Sequence, residues 1–326
     1  MSTRKDYEDI IKGISFIEIT PVKKDFDNGR FIVRGKIKRR DVLLKVLPKS
    51  DVNRVDSYKK EFMVDKILDK HNMDITKPVI IKAEVLTIGE NKKYFWIIRK
   101  YYSGTSLSNY YPDKAFLRGY DVIRKKFLLY RSRIIDSISE NIISSQKMTK
   151  DLRKLNATKS SMYRRYETEY DIGIVIKTGE CIGRDLTKVN ELLGEHKKIY
   201  YSNEFKVANM GDLVPPNIII RDVDNVIFSD YEWFCMDNNT MDVANLWLYL
   251  WRYPKWQKRL IEKLVTNDIQ RKNFRYSVCR ILLSKYTSIV SGSWGEIEMM
   301  DYYKKHKWSK YLVASGESFE ALMKVR

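Results

Sequence analysis

Residues 211–234 read GDLVPPNIIIRDVDNVIFSDYEWF. Two apolar runs, Ile218 to Ile220 and Val226 to Phe228, flank Arg221 to Asn225, whose Asp and Asn residues favour tight reversal, so the stretch predicts a short β-hairpin. Three polar residues mark its ends: Asp212 and Asn217 before the first strand, and Asp230 after the second, eighteen residues beyond Asp212. Pro215 and Pro216 fix φ between the first two and predict a stiff loop rather than a helix. Two carboxylates and an amide oxygen form a hard-oxygen set, suited to a divalent cation held against phosphate oxygens. On this reading Asp212 accepts the hydrogen bond and then the proton of an acceptor hydroxyl, while Asn217 and Asp230 bind Mg²⁺ from opposite sides of the hairpin. The spacing D-x-x-x-x-N arises by chance in many chains, and it is the second acidic site, across a hairpin, that gives it weight.

The N-terminal part supplies the complement. Phe31 to Lys38 alternates in polarity and is followed, after Arg39-Arg40-Asp41, by Val42 to Leu47, which predicts an antiparallel hairpin. Its second strand, VLLKVLP, places Lys45 in an apolar run where an ammonium is costly to bury without an anionic partner. Sixteen residues on, Glu61 lies in YKKEFMVDKIL, where Phe62, Ile67 and Leu68 suggest an amphipathic helix. A strand Lys paired with a helix Glu is the arrangement by which kinases hold the α- and β-phosphates of a nucleotide. The bland reading, a snorkelling Lys45 and a solvated Glu61, stands beside it until the two are placed in space.

The order Lys45, Glu61, GDLVPPN, DYEW and then Asp242 opening DVANLWLYLW resembles the aminoglycoside phosphotransferase and choline kinase group of protein-kinase-like enzymes, from about residue 15 to about residue 255. The resemblance implies an α+β, two-lobed protein-kinase-like fold: an N-terminal antiparallel sheet plus helix, then a mainly helical C-terminal lobe. It implies a nucleotide-binding lobe over residues 1–101 and a catalytic and acceptor-binding lobe over 102–326, with ATP and Mg²⁺ as cofactors. Gly211-Asp212 would open the catalytic loop, Asp230 with Glu232 would bind metal, and Asp242 would brace the loop or cap its helix. The pattern is departed from at Met210, which stands where the family usually has His, and in the glycine content of the first hairpin, which offers only Gly29 and Gly35. The linking segment Tyr94 to Gly104 carries Arg99 and Lys100 where the family often has an acidic residue; backbone groups hold adenine there, so this departure is expected to matter little.

Composition bounds the acceptor. Of 326 residues 44% are hydrophobic, enough for two substantial cores, and Lys plus Arg exceed Asp plus Glu by 61 to 42, a net charge of +19. That field repels polycations and suits a neutral or anionic small-molecule hydroxyl acceptor; the DYEW element also resembles kinase-like proteins found with surface-glycan synthesis enzymes, pointing to a sugar or glycan precursor. The other reading open at this point is a pseudokinase or basic nucleic-acid-binding scaffold that keeps the fold. Lys150, Arg153, Lys154, Lys159 and Arg164 form a basic insertion around residues 147–170, read as a lid, a binding surface or a solvated face.

Cys181, Cys235 and Cys279 are scattered and odd in number, which predicts neither zinc nor disulfides, and a cytoplasmic location. No apolar run reaches the ~18 residues of a membrane span. His71, His196 and His306 lie in charged surroundings and are expected at the surface. Elsewhere the patterns predict helices at Phe116 to Ile143, Leu186 onward, Asp242 to Trp251, Trp256 to Val265, Gln270 to Ser291 and Glu296 to Val313, and a short strand at Ile172 to Ile176. Most of the tryptophans are expected in the core, with an aromatic wall for a sugar ring as the other use.

Overall fold

The computed structural model describes residues 4–25, 30–73, 85–108, 120–147, 149–152, 172–230, 233–290 and 307–325. After helix α1 (Arg4–Gly13) come strands β1 (Ile17–Asp25), β2 (Arg30–Ile37) and β3 (Arg40–Pro48), helix α2 (Val52–Met73), and strands β4 (Val85–Glu90) and β5 (Tyr94–Lys100). The strands form one antiparallel sheet in the order β1-β2-β3-β5-β4.

Strand alternation then decides which side chain faces which layer. Val42, Leu44 and Val46 of β3, with Phe31 and Val33 of β2, pack under Ile10 and Phe16 from α1 and the turn after it. The opposite parity sends Leu47, Phe95 and Ile97 against Val55 and Tyr58 of α2. Lys45 pairs in register with Ile97, and Leu43 with Arg99, so both cations belong to the face that meets α2.

Past β6 (Thr105–Ser106) the chain is mainly helical: α3 (Arg131–Lys147), α4 (Thr149–Leu152), α5 (Ile172–Ile182), α6 (Thr187–Tyr200), α7 (Met241–Tyr249), α8 (Pro254–Leu264), α9 (Asp268–Val290), α10 (Trp308–Glu317) and α11 (Phe319–Lys324). Two small sheets interrupt it. β7 (Lys206–Asn209) pairs with β10 (Cys235–Asn238), and β8 (Ile218–Asp222) with β9 (Asn225–Phe228) forms the hairpin read from sequence. β6 adds to the free edge of β8. One large core joins these helices, with Trp247, Trp256 and Trp308 buried in it.

Several expectations are corrected. Residues 172–176 open a helix, not a strand: the β-branched run misleads, whereas buried Val175, Thr178, Gly179 and Ile182 follow a helical spacing. Among the described residues of 116–143, α-helix begins only at Arg131, because a 3₁₀ turn, Lys125–Tyr130, precedes α3. His196 is buried, and its ring bonds to Asn273 at 2.7 Å, because Val189, Leu193, His196 and Tyr200 share one stripe of α6. The side chains of His71 and His306, Trp294, Glu232 and most of the basic insertion lie outside the described residues.

Candidate active site

The loop between β7 and β8 is held from behind. Met210 N–H donates to Asp242 Oδ2 at 2.7 Å and Gly211 N–H to Oδ1 at 3.1 Å, so Asp242 braces the loop directly, and the position before α7 makes no side-chain cap. Burial pushes the Asp242 carboxyl up to about 7, against the pull of those two amide donors. Gly211 has φ +79°, and a Cβ there would stand 2.0 Å from Trp233 O, so no other residue fits.

Pro215–Asn217 form a single 3₁₀ turn that ends where β8 begins. The Asn217 amide nitrogen donates to Asp212 O at 3.0 Å and Asp212 Oδ2 at 3.3 Å, which commits that nitrogen and leaves Oδ1 as the atom able to meet a cation. Ser229 ties the far end of the hairpin to the near end: its N–H and Oγ–H both donate to Asn217 O, at 2.9 and 3.1 Å. Asp230 follows at once in the left-handed region, φ +72°, the kind of backbone strain that collects at functional sites. Asp212, Asn217 and Asp230 are thus brought together by one hairpin, as their spacing predicts.

The cations arrive from the sheet. Lys45, buried, forms an ion pair with Asp230. Burial alone would lower the Lys45 pKa, but Asp230, with Tyr58 and Glu61 behind it, raises it above the ordinary value. Asp230 is half-buried; desolvation works to raise its pKa, and Lys45 and Arg99 overcome that and lower it. The pair expected between Lys45 and Glu61 is drawn differently. Glu61, fully buried on α2, takes Arg99 at 2.8 Å, and the same guanidinium nitrogen stands 3.8 Å from Asp230. Glu61 therefore reaches Lys45 through its field, while Arg99 stands between the helix carboxylate and Asp230. Strand parity explains the placement: β5 sends Arg99 to the same α2 face as Lys45, within reach of Glu61.

Sequence reasoning also missed Lys285. It is buried on α9, donates to Tyr249 Oη at 3.2 Å, and lies 5.3 Å from the Tyr249 ring centroid and 5.8 Å from that of Trp308. Desolvation depresses its pKa to about 8, opposed by the charge of Asp212. Reciprocally, desolvation pushes Asp212 up to about 6, with Lys285 and the Asn217 bond pulling down and Asp230 pushing up. Asp212 therefore feels a buried cation that is itself packed against two aromatic rings.

Among the described residues no cluster of three or more His, Cys, Asp or Glu side chains is placed to hold a metal by itself. The Asn217 amide oxygen and the Asp230 carboxylate offer hard oxygens, the donor type that Mg²⁺ takes together with phosphate oxygens, so they could hold that ion.

No family model matches the chain, and no curated protein matches it. Solved structures do. Aminoglycoside phosphotransferase APH(4)-Ia is 13% identical, with a TM-score of 0.60 over 95% of this chain and 98% of its own. Spectinomycin phosphotransferase APH(9)-Ia, in complex with ADP and spectinomycin, is 9% identical, with a TM-score of 0.57 over 97% of this chain and 98% of its own. Amicoumacin kinase hAmiN, in complex with AMP-PNP, Ca²⁺ and amicoumacin, is 10% identical, with a TM-score of 0.58 over 94% of each chain. The likeness shows the fold: a two-lobed protein-kinase-like architecture, with an antiparallel sheet and helix before a mainly helical C-terminal part.

Proposed function

We propose that the chain is a small-molecule kinase, transferring the γ-phosphoryl group of ATP to a hydroxyl of a small acceptor. The observation that carries the reading is the meeting of a sheet lysine with a hairpin carboxylate: Lys45 and Asp230, 185 residues apart in sequence, form one ion pair at the end of the hairpin that carries Asn217 and Asp212. A scaffold has no physical need to hold these charges half-buried together. Nucleotides bound to APH(9)-Ia and hAmiN, which share the fold, support the same reading.

Catalysis in such a site is positioning and charge stabilisation. Lys45 would hold the α- and β-phosphates, and Asn217 Oδ1 with Asp230 would hold Mg²⁺, which when bound neutralises charge on the transferring phosphoryl group. Asp212 would orient the acceptor hydroxyl and take its proton; Glu61 would act on the phosphate site through Arg99. Turnover should then fall below about pH 6, as the Asp212 carboxyl, raised to about 6, protonates and can no longer accept that proton. A turnover-against-pH series in the presence of saturating nucleotide checks this, and a flat profile down to pH 5 removes the carboxyl from the step.

The net charge of +19 and the Lys285 ammonium near Asp212 favour a neutral or anionic acceptor, such as a sugar or glycan precursor, over a polycation. Cys235 and Cys279 are buried free thiols, which suits the reducing cytoplasm. No helix among the described residues is long and apolar enough to cross a membrane.

ATP with Mg²⁺ is expected to stabilise the protein by about 2–3 kcal/mol at a hundredfold excess over its Kd, several degrees in a thermal melt, with a much smaller effect when Mg²⁺ is chelated. No shift at any nucleotide concentration, together with RNA affinity that drops steeply with salt, would replace this reading with the basic scaffold. ADP release across sugars, nucleosides and amino alcohols then identifies the acceptor.

A further inference from the structure

Residues 122–133 expose what a folded chain ordinarily covers or scatters. Leu129 is 89% exposed, Tyr130 44%, Val122 41% and Leu128 38%, all within nine positions. Isolated exposed apolar residues need no explanation, but a contiguous group does. The 3₁₀ turn produces it: Phe127 alone of the turn points into the core, and the tight winding throws the next three side chains outward.

The same segment carries Arg124, Lys125, Lys126, Arg131 and Arg133 and no acidic residue. Two of these are partly engaged, Arg124 Nε donating to Ser106 O at 2.9 Å and Lys126 Nζ to Thr105 Oγ1 at 2.7 Å. Arg133 is ion-paired through Nε and Nη2 with both oxygens of Asp224, which leaves Arg124, Lys125, Lys126 and Arg131 as the segment's cations without a carboxylate partner among the described residues. Those bonds pin the turn to the β6 edge and to the tip of the β8–β9 hairpin, so the apolar tip is presented on a rigid mount. Two backbone bonds connect that mount to the active-site hairpin: Arg124 N–H to Leu107 O, 3.0 Å, and Leu107 N–H to Ile218 O, 2.8 Å, next to Asn217.

Cations around an apolar tip discriminate between polyanions. A nucleic acid would satisfy the lysines and arginines but leave Leu128 and Leu129 against water and sugar-phosphate, and only Tyr130 offers a base a ring to stack on. A bilayer with anionic head groups satisfies both classes of side chain, cations at the phosphates and leucines at the acyl boundary, with Tyr130 at the interface between them. We infer that residues 122–133 are a peripheral docking surface for an anionic lipid bilayer. This does not rest on the kinase reading: the surface would act in the same way on a catalytically inert chain.

The test is co-sedimentation of the full chain with vesicles of phosphatidylcholine alone and of phosphatidylcholine mixed with phosphatidylglycerol. Binding is expected to the mixed vesicles only, weakening as salt is raised. Leu129→Ser should weaken it about tenfold at unchanged melting temperature, since that side chain is 89% exposed, and Leu128→Ser with Leu129→Ser should weaken it further. Lys125→Glu with Lys126→Glu should do the same. Equal binding to neutral vesicles, or binding unmoved by the serine pair, overturns the inference. So does capture of RNA without vesicle binding, which would assign the surface to nucleic acid.

Discussion

Asp212→Asn should leave the protein folded and nucleotide-competent while turnover drops by about 10²–10⁴-fold, the range expected when a general base is lost. The substitution is chosen because the loop does not depend on the charge. Asn217 bonds to the Asp212 backbone oxygen at 3.0 Å, which survives, and an amide oxygen can still accept the longer 3.3 Å side-chain bond. What is lost is the capacity to receive the hydroxyl proton. Removing this carboxylate also relieves its repulsion with Asp230, so affinity for nucleotide with metal should hold or rise slightly. Two measurements separate the effects: calorimetric binding of a non-hydrolysable ATP analogue, and steady-state ADP release. The acidic limb near pH 6 should vanish from whatever turnover remains. Turnover within about threefold of the wild type would show that the residue only shapes the loop, because acid–base roles are worth far more than that.

How far the sequence carried this site differs from residue to residue. The hairpin over residues 218–228 was legible because two apolar runs bracket a turn whose chemistry admits little else, and its polar ends then fall at fixed places. Lys45 was legible as a buried cation because seven residues of β3 read VLLKVLP, a context that demands an anion. The identity of that anion was not, because Glu61 and Asp230 both qualify and sequence carries no distances. The structure divides them, giving Asp230 to Lys45 and Glu61 to Arg99.

Arg99 is the instructive miss. Phe95, Ile97 and Arg99 occupy alternate positions of β5, so a period of two already sets the guanidinium on the buried face. Read as the link between lobes, where backbone groups hold adenine, the segment gives its side chains little weight, and that reading hides Arg99. Lys285 had no comparable signal. Its helix mixes charged and apolar residues without a clear stripe, and the lysine is covered by Tyr249 from α7 and Trp308 from α10, a tertiary event that no local window contains. His196 had a signal that its neighbours hid, since GEHKKIY looks solvated residue by residue while the α6 stripe runs through it.

Arg99→Met should destabilise the protein by about 3–5 kcal/mol, because it removes one member of a buried ion pair. Glu61 is fully buried and its Arg99 partner lies at 2.8 Å, so desolvation of that carboxylate is currently offset at close range. The obvious rescue is Lys45, which sits on the same face of the sheet and already feels the Glu61 charge. Yet Lys45 could turn to Glu61 only by giving up Asp230, a residue 3.8 Å from the Arg99 nitrogen that would also be missing its second cation. Both carboxylates would therefore be short of positive charge, and one lysine cannot serve two sites. Pairing the change with Glu61→Met should recover most of the loss, since well-packed apolar residues replace a buried ion pair at little net cost. Chemical denaturation of the two single variants and the double variant closes a cycle whose coupling should exceed about 2 kcal/mol. A loss below about 1 kcal/mol in the unliganded protein would mean that Lys45 already exchanges between the two carboxylates, and Arg99 would then be a neighbour of the phosphate site rather than the residue that holds Glu61 in place.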